Sequence, residues 1–250
     1  MHPDQLTLAD AESVTDLHTF LTRARAIEDG SARLEAAGTA LGVYVPVLYP
    51  EALGAPVPTI LGLRVARLAE PADLAAVYGL GALTDRLARL AGASTDLSLP
   101  PAEAFAPWAG VAPPRRGWER IAEYDDATLR SVAEDGMRAV AGALPENAGK
   151  PVLATVRSRI WSTPAALVAA AADPAGPRSG PAAELPGLAV ELPAGAAFAA
   201  QALGFLAPQG TSALFRAGRW LRLSSAHGHV LVRLAPSTGS KTAEPVLAFS

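Results

Sequence analysis

The feature that most constrains the fold is a predicted β-hairpin near the C-terminal end of the chain. Residues 219–224 and 229–234 are two short runs rich in Leu, Val and Trp, and the small polar loop between them ends in Gly228. Apolar runs on both sides of a short loop that contains Gly are typical of antiparallel strands joined by a turn. Residues 213–216 are expected to add a third strand. The predicted cross-strand pairs are Ser224 with His229, Leu223 with Val230, Arg222 with Leu231, Leu221 with Val232 and Trp220 with Arg233.

This register assigns the hairpin side chains to two faces, because side chains alternate along a strand. The buried face consists of Leu221, Leu223, Val230 and Val232. The other face consists of Trp220, Arg222, Ser224, His229, Leu231 and Arg233. Antiparallel sheets commonly keep one face in water, so we expect the second face to be exposed, with a cation–π contact between Trp220 and Arg233. Such a face suits an anion, a nucleotide or a partner protein, although a solvated outer face is the simpler interpretation.

Composition limits the kind of protein that this sequence can form. A chain of 250 residues, 50% of them hydrophobic, can bury a core as one large domain or as two small ones. It has no apolar run of the roughly 18 to 20 residues that a membrane span needs, and its acidic N-terminal segment lacks the pattern of a secretory signal. We therefore expect a cytoplasmic protein that does not bind membranes. The lack of Cys excludes disulfides and thiolate ligands, and a net charge of −3 gives no general attraction to nucleic acid.

The N-terminal segment has the pattern of a helix. Ser13 and Asp16 have the spacing of a capping box, and the apolar residues after them recur with the period of a helix up to Gly30. Residues 31–37 are predicted to form a second short helical turn, because Gly38 after them is a typical helix-ending residue.

Two antiparallel strands and another helix are predicted next. Residues 41–48 and 58–68 are rich in Leu, Val and Ile, and Pro46 places the first strand at a sheet edge or a bulge because Pro cannot donate to a ladder. Residues 71–77 are expected to cross from the sheet to a helix over residues 80–90, where Leu residues form an apolar stripe.

A long segment rich in Pro and Trp lies in the middle of the chain. Residues 93–118 contain Trp108 and Trp118 and no clear periodicity. An irregular stretch of this length inside a compact protein is commonly functional or mobile. Burying an indole contributes a large hydrophobic free energy to folding, and this would be lost if both tryptophans stayed in water. We therefore expect at least one of them to pack onto the sheet.

The region before the hairpin is predicted to be mainly helical, and Asp125 or Asp126 caps its first helix. The predicted elements are helices over residues 127–144, 151–161 and 194–204, a linker over 173–181 and a short strand over 188–192. The predicted fold class is therefore α+β, with antiparallel strands and hairpins packed against several Ala- and Leu-rich helices. The chain is predicted to divide into an N-terminal part, residues 1–145, and a C-terminal part, residues 150–250. The two parts could also form one compact domain.

Patterns for catalysis or metal binding are weak. His227 and His229 are the only close pair of histidines, and no third ligand lies near them in the sequence. The serines beside this pair lack the sequence of a nucleophile elbow. Residues 142–151 and 79–84 each lack positions that phosphate-binding or dinucleotide-binding loops require. We therefore predict no metal and no cofactor.

The favoured functional hypothesis is a non-enzymatic binding protein that acts through the exposed face of the hairpin, with the Pro- and Trp-rich loop beside it. The candidate binding residues are Trp220, Arg222, His227, His229 and Arg233 of the hairpin and Trp108, Arg115 and Trp118 of the loop. The ligand would be an unidentified protein partner or a small anion. The sequence does not indicate an oligomeric state.

Two alternatives stay open. Helices over residues 151–161 and 194–204 followed by the 213–234 ribbon have the order of a winged-helix nucleic-acid-binding protein. This alternative is disfavoured, because Gln201 is the one base-reading side chain on the would-be recognition helix. The second alternative is a small-molecule enzyme with a site between residues 105–118 and the hairpin, in which a hairpin histidine acts as acid or base.

Three segments carry a resemblance to a known group of sequences. They are FLTRARAIEDGSARLEAAG near the N-terminus, PPRRGWE at residues 113–119, and LPAGAAFAAQALGFL together with GRWLRLSSAHGHVLVR in the C-terminal region. Together they resemble a widespread group of uncharacterised conserved proteins from high-GC actinobacteria. The resemblance covers nearly the full chain and implies a bacterial cytoplasmic protein, without implying an activity.

Overall fold

A computed structural model of the chain describes residues 3–52, 54–90, 93–145, 147–165, 167 and 192–235. Its centre is one six-stranded antiparallel sheet with helices packed on one face and an irregular segment on the other. The helices are α1 (Ala11–Ile27), α2 (Leu80–Leu90), α3 (Asp126–Ala143), α4 (Lys150–Trp161) and α5 (Ala194–Ala202). The strands are β1 (Gln5–Thr7), β2 (Ser31–Leu48), β3 (Thr59–Gly79), β4 (Asp96–Ser98), β5 (Glu119–Asp125), β6 (Thr211–Ala217), β7 (Trp220–Ser225) and β8 (Gly228–Arg233).

The sheet order is β2-β3-β8-β7-β6-β5, and β1 pairs separately with β4. The predicted α+β class is therefore confirmed. The C-terminal hairpin has the predicted register, with one additional pair between Ser225 and Gly228 that shortens its loop to two residues. The third strand is also confirmed, as β6. Because β8 pairs with β3 on its other side, the hairpin lies in the middle of the sheet.

Strands β2 and β3 are longer than the sequence predicts. Residues 31–37, predicted as a helical turn, are the first part of β2, in which Ala32, Leu34 and Ala36 are buried and alternate with half-buried residues. Residues 71–77, predicted to leave the sheet, continue β3 and pair with this part of β2. The prediction for Pro46 is confirmed, since β2 is an edge strand with a register shift next to Pro46.

The main core lies between the sheet and the helices. The hairpin residues predicted to be buried, Leu221, Leu223, Val230 and Val232, are all inaccessible to solvent. Helix α5 lies so close to β3 that a Cβ atom at Gly195 would come within 2.8 Å of Ile60 Cδ1. The close approach explains why α5 consists almost entirely of small residues.

The N-terminus of α1 differs from the predicted capping box. Asp10 is the N-cap residue, and its carboxylate accepts a hydrogen bond of 2.7 Å from the backbone N–H of Ser13. This hydrogen bond lowers the pKa of Asp10. The helix thus begins one turn earlier than predicted, because Asp caps a helix as well as Ser does.

Asp126 connects α3 to the loop that precedes β6. The predicted capping role is wrong for Asp125, the N-cap residue, whose side chain makes no capping hydrogen bond. The carboxylate of Asp126 is fully buried and accepts hydrogen bonds from Ser212 Oγ at 2.5 Å and from the backbone N–H of Ala207 at 2.8 Å. The backbone N–H of Asp126 donates to the carbonyl of Gly210 at 2.9 Å. This one residue therefore fixes the start of α3 against the sheet.

The predicted linker over residues 173–181 lies outside the described residues, as does the predicted strand over 188–192 except for its last residue. In the part of the chain that the structure describes, no helix has the length and apolar character required to cross a bilayer.

Candidate functional site

The outer face of the sheet, opposite the helices, is covered where the sequence predicts exposure. A 3-10 turn, Pro107–Gly110, places Trp108 against the sheet, where it forms a second apolar cluster with Leu61, Trp220 and Leu231. Trp108 is 8% exposed, Trp220 6% and Leu231 1%. The prediction that a loop tryptophan packs onto the sheet is confirmed. The prediction of an exposed hairpin face is wrong at its centre, because burying two indoles is strongly favourable.

A polar group at the start of β2 holds this turn in place. Arg33 donates a hydrogen bond of 2.7 Å to the carbonyl of Ala109 and a second one of 2.5 Å to Glu35. Arg115, one of the predicted binding residues, is largely exposed, and its guanidinium lies 4.0 Å from the same carboxylate. Burial and the neighbouring Glu35 raise the pKa of Tyr44 to about 12. The sequence did not point to this group because residues 31–37 were predicted to be helical.

Arg222 lies between two aromatic rings on the same face. Its guanidinium carbon is 4.7 Å from the ring centre of Trp118 and 4.6 Å from that of Phe215. Trp118 is held in turn by a hydrogen bond of 2.8 Å from its indole N–H to the carbonyl of Pro114. Within the described residues the cation–π contacts of this face belong to Arg222, whereas the sequence predicted one between Trp220 and Arg233. Burial lowers the pKa of Arg222, which stays protonated at neutral pH.

The two predicted histidines lie in different surroundings. His229 is half-buried, and its Nδ1 atom lies 3.0 Å from Ser224 Oγ. Burial, together with the nearby Arg222 and Arg64, lowers the pKa of His229. His227 is exposed in the hairpin turn and lines a separate groove beside α1 on the helix side of the sheet. Across the described ranges, no group of three or more acidic or His side chains has an arrangement that would hold a metal ion.

A groove of about 470 Å³ lies on the outer face between the β2–β3 connection, the 3-10 turn and the ends of β7 and β8. Aromatic and aliphatic residues form most of its surface, and two arginines lie at its edge. These lining residues include Tyr49, Val57, Trp108, Val111, Arg219, Trp220, Arg233 and Leu234. Neither arginine forms an ion pair within the described residues. The groove therefore combines an apolar floor with three charged residues, Arg219, Arg233 and Glu51.

The structure brings most of the predicted site residues to the outer face of the sheet, but only some of them line the groove. Trp108, Trp220 and Arg233 line the groove, while Trp118, Arg222 and His229 lie beside it and His227 lies elsewhere. Tyr49 and Arg219 were missed. Tyr49 follows β2 without a pattern of its own, and Arg219 is indistinguishable from other exposed arginines in the sequence.

Comparison with solved structures relates the whole chain to bacterial sliding clamps. A DNA polymerase sliding clamp from Caulobacter crescentus aligns with 96% of this chain and 67% of its own, at a TM-score of 0.53 and 11% identity. The DNA polymerase III subunit beta of Bartonella birtlesii, solved with griselimycin bound, aligns with 94% of this chain and 65% of its own, at a TM-score of 0.52 and 12% identity. At such identities the similarity concerns the fold. The chain spans about two thirds of the length of these clamps.

This fold overturns the functional interpretation of the sequence. Strands β6 to β8 are inner strands of a large clamp-like sheet and not the wing of a winged helix. Helix α5 is buried in the core, so it cannot serve as a recognition helix. The hypothesis of a binding protein that acts through an exposed hairpin face is wrong, because the 3-10 turn covers the centre of that face and the solved structures that share the fold are DNA polymerase sliding clamps.

Comparison with curated proteins gives no match. Two family models match instead, the domain of unknown function DUF8010 over residues 1–110 and the domain of unknown function DUF8185 over residues 113–237. The predicted membership of an uncharacterised family is thereby confirmed, whereas an actinobacterial origin stays a prediction. The chain belongs to the family defined by the domain of unknown function DUF8185, which follows a DUF8010 match in this protein.

Proposed function

We propose that this protein is a clamp-type scaffold that encloses DNA as an assembly of several copies and holds a partner peptide in the groove of its outer face. The observation that carries the proposal is the similarity in fold to DNA polymerase sliding clamps over more than nine tenths of the chain. A compact chain of 250 residues has a radius of gyration of only about 18 Å, so one copy cannot surround a duplex. Clamp action therefore requires assembly.

Both edges of the six-stranded sheet support assembly. Strands β2 and β5 are each paired on one side only within the described residues. Unpaired N–H and C=O groups at a sheet edge are a template for a strand of another chain. Contact between β2 of one copy and β5 of the next would be heterologous, and such contacts form a closed ring when the rotation between copies closes.

The helix layer is the surface that best suits DNA. Several of its arginines form no ion pair within the described residues. They are Arg23, Arg86, Arg89, Arg130, Arg157 and Arg159. The net charge of −3 argues against tight electrostatic binding. Enclosure does not need tight binding, because a closed ring is held on circular DNA by its topology.

The groove supports a partner site. Its wall includes residues from the DUF8010 match and from the DUF8185 match, so its shape depends on both. Its aromatic side chains, together with two arginines and one glutamate, Glu51, suit an extended peptide that carries apolar side chains and charged groups.

Oligomeric state and DNA association test the proposal together. Native mass spectrometry of the full chain is expected to give one defined oligomer, and fluorescence anisotropy with a labelled duplex is expected to give weak binding that falls as salt rises. A protein that stays monomeric at all concentrations and binds no duplex at low salt would contradict it.

A further inference from the structure

We infer that two copies of this protein pair through their outer faces, each inserting Phe105 into the groove of the other. The inference rests on the proposed function of the groove as a peptide site and names this chain as one of its ligands. Such a pair closes both grooves, so that a partner peptide has to compete with self-association. An exposed aromatic ring, a backbone that is held on both sides of it and complementary charges support the inference.

Phe105 is the most exposed large hydrophobic residue in the described part of the chain. It is 92% exposed, and it precedes Pro107, which lines the groove, by two residues. An aromatic side chain in water forgoes one of the largest hydrophobic contributions that a residue can make. A ring in this position is therefore suited to become the buried anchor of an interface.

The backbone is held on both sides of Phe105. The N–H of Ala104 donates a hydrogen bond of 2.8 Å to the carbonyl of Val77 in β3. Ala106 packs against the outer apolar cluster that contains Trp108. A side chain presented by a fixed backbone loses less entropy when it binds than one on an unrestrained segment.

A carboxylate beside Phe105 complements the arginines of the groove. Glu103 is exposed and lies two residues before Phe105, a separation of at most about 7 Å in an extended chain. Arg219 and Arg233 line the groove and form no ion pair within the described residues. The ring can therefore occupy the apolar floor while the carboxylate contacts an arginine.

The acidic residue of the groove gives the incoming segment a direction. Burial, together with Glu28 and Glu51, raises the pKa of Tyr49, so the acidic charge lies at the Tyr49 side. The arginines lie at the ends of β7 and β8. We therefore expect Glu103 of the second copy to point toward β7 and β8 and away from Glu51.

The outer face allows a symmetric pair, because it carries both the inserted ring and the groove that receives it. In a twofold contact each of two different patches meets the other patch of the second copy. Two inserted rings of about 150–250 Å² each, with a matching area of groove, would bury roughly 600–1,000 Å² in total. This area lies below the roughly 1,200 Å² of a standard interface. The pair should therefore be weak and form only at high protein concentration.

Disulfide cross-linking tests the pair without background, because the chain contains no Cys. One variant carries A102C beside the inserted segment, and a second carries A235C in the groove wall. Mixed at high concentration under mild oxidation, the two should form a mixed disulfide. F105A in the first variant should lower its yield about tenfold. V152A, which shortens an exposed apolar side chain on α4, should leave the yield unchanged, and equal yields with and without F105A would overturn the inference.

A labelled peptide separates this inference from the proposed function. A fluorescein-labelled peptide of residues 100–106 should bind the F105A protein, and E103R in the peptide should weaken binding about fivefold. R233E in the protein should restore binding of the E103R peptide. Peptide binding without a cross-link would keep the groove as a peptide site and overturn the pair. Absence of both would overturn the pair and, with it, the groove as a site for peptides of this kind.

Discussion

Asp126 is the buried ionisable residue on which the junction between α3 and the sheet depends. Its carboxylate accepts hydrogen bonds from Ser212 and from the backbone of Ala207. Ser212 also lies 2.7 Å from Ser225 Oγ, so three strands or loops meet in one polar chain. Removing an acceptor from such a chain leaves buried donors without partners, which costs more than the net contribution of the bonds themselves.

We therefore expect Asp126→Ala to lower the free energy of unfolding by about 2–4 kcal/mol. Urea denaturation measures this change. Ser225→Ala, which removes only the outer hydroxyl of the chain, should cost about 1 kcal/mol. A change for Asp126→Ala no larger than that for Ser225→Ala would contradict the role given to the carboxylate.

His229 predicts a dependence of stability on pH. Its pKa in the folded state is lowered from the usual 6.5, so the unfolded chain takes up a proton at a higher pH than the folded one. The contribution of His229 to stability is therefore complete above about pH 6.5. It is lost as the pH falls from there through the lowered pKa of the folded state. Urea unfolding at about pH 7.5 and about pH 5.5 should show a smaller loss for His229→Gln than for the wild type. The same loss in both proteins would refute the assignment, and His227→Gln on the exposed turn serves as the matched control.

At the scale of elements, the 3-10 turn depends on one arginine of a distant strand. Arg33 of β2 holds the carbonyl of Ala109, and Trp108 of that turn covers the hairpin. Arg33→Ala should lower the free energy of unfolding by about 1–3 kcal/mol, because Glu35 loses its partner as well. It should also shift tryptophan emission to the red as Trp108 becomes exposed. Arg116→Ala, on the exposed part of the same segment, should do neither.

The proposed clamp function predicts a salt-dependent contact between the helix layer and DNA. Arg159 of α4 is exposed and forms no ion pair in the described chain. Arg159→Glu should weaken association with a labelled duplex and reduce the slope of log affinity against log salt by about 1. Arg116→Glu changes the charge equally on the opposite face and should leave the slope unchanged. Equal effects of the two substitutions would argue against the helix layer as the DNA surface.

The elements show which local patterns suffice for prediction. The hairpin register and α2 follow from short-range periodicity. The first part of β2 does not, because its Ala-rich sequence suits either a helix or a strand, and pairing with residues 72–79 of β3 decides between them. The covered outer face was unpredictable for a similar reason, since Trp108 reaches Trp220 only through the tertiary fold.

At the scale of the whole molecule, the six-stranded sheet draws strands from both matched family regions. Strands β2 and β3 lie in the DUF8010 match, and β5 to β8 lie in the DUF8185 match. The division of the chain near residues 145–150 stays a prediction. Three residues of the groove, Trp108, Trp220 and Arg233, were predicted from the sequence as binding residues. The clamp-like fold was not predicted, because it depends on how strands from both halves of the chain pair in one sheet.

The central claim is that copies of this protein enclose DNA, and a plasmid linearisation experiment tests it most directly. The protein is incubated with a closed circular plasmid, the complex is isolated by gel filtration at high salt, and the plasmid is then cut at a single site. A protein ring that is linked topologically to DNA stays bound at high salt but slides off a free DNA end. A protein held only by electrostatic contact dissociates at high salt. We predict that the protein stays with the circle and leaves the linear DNA. Retention on the linear form, or no retention on the circle, would contradict the proposed clamp.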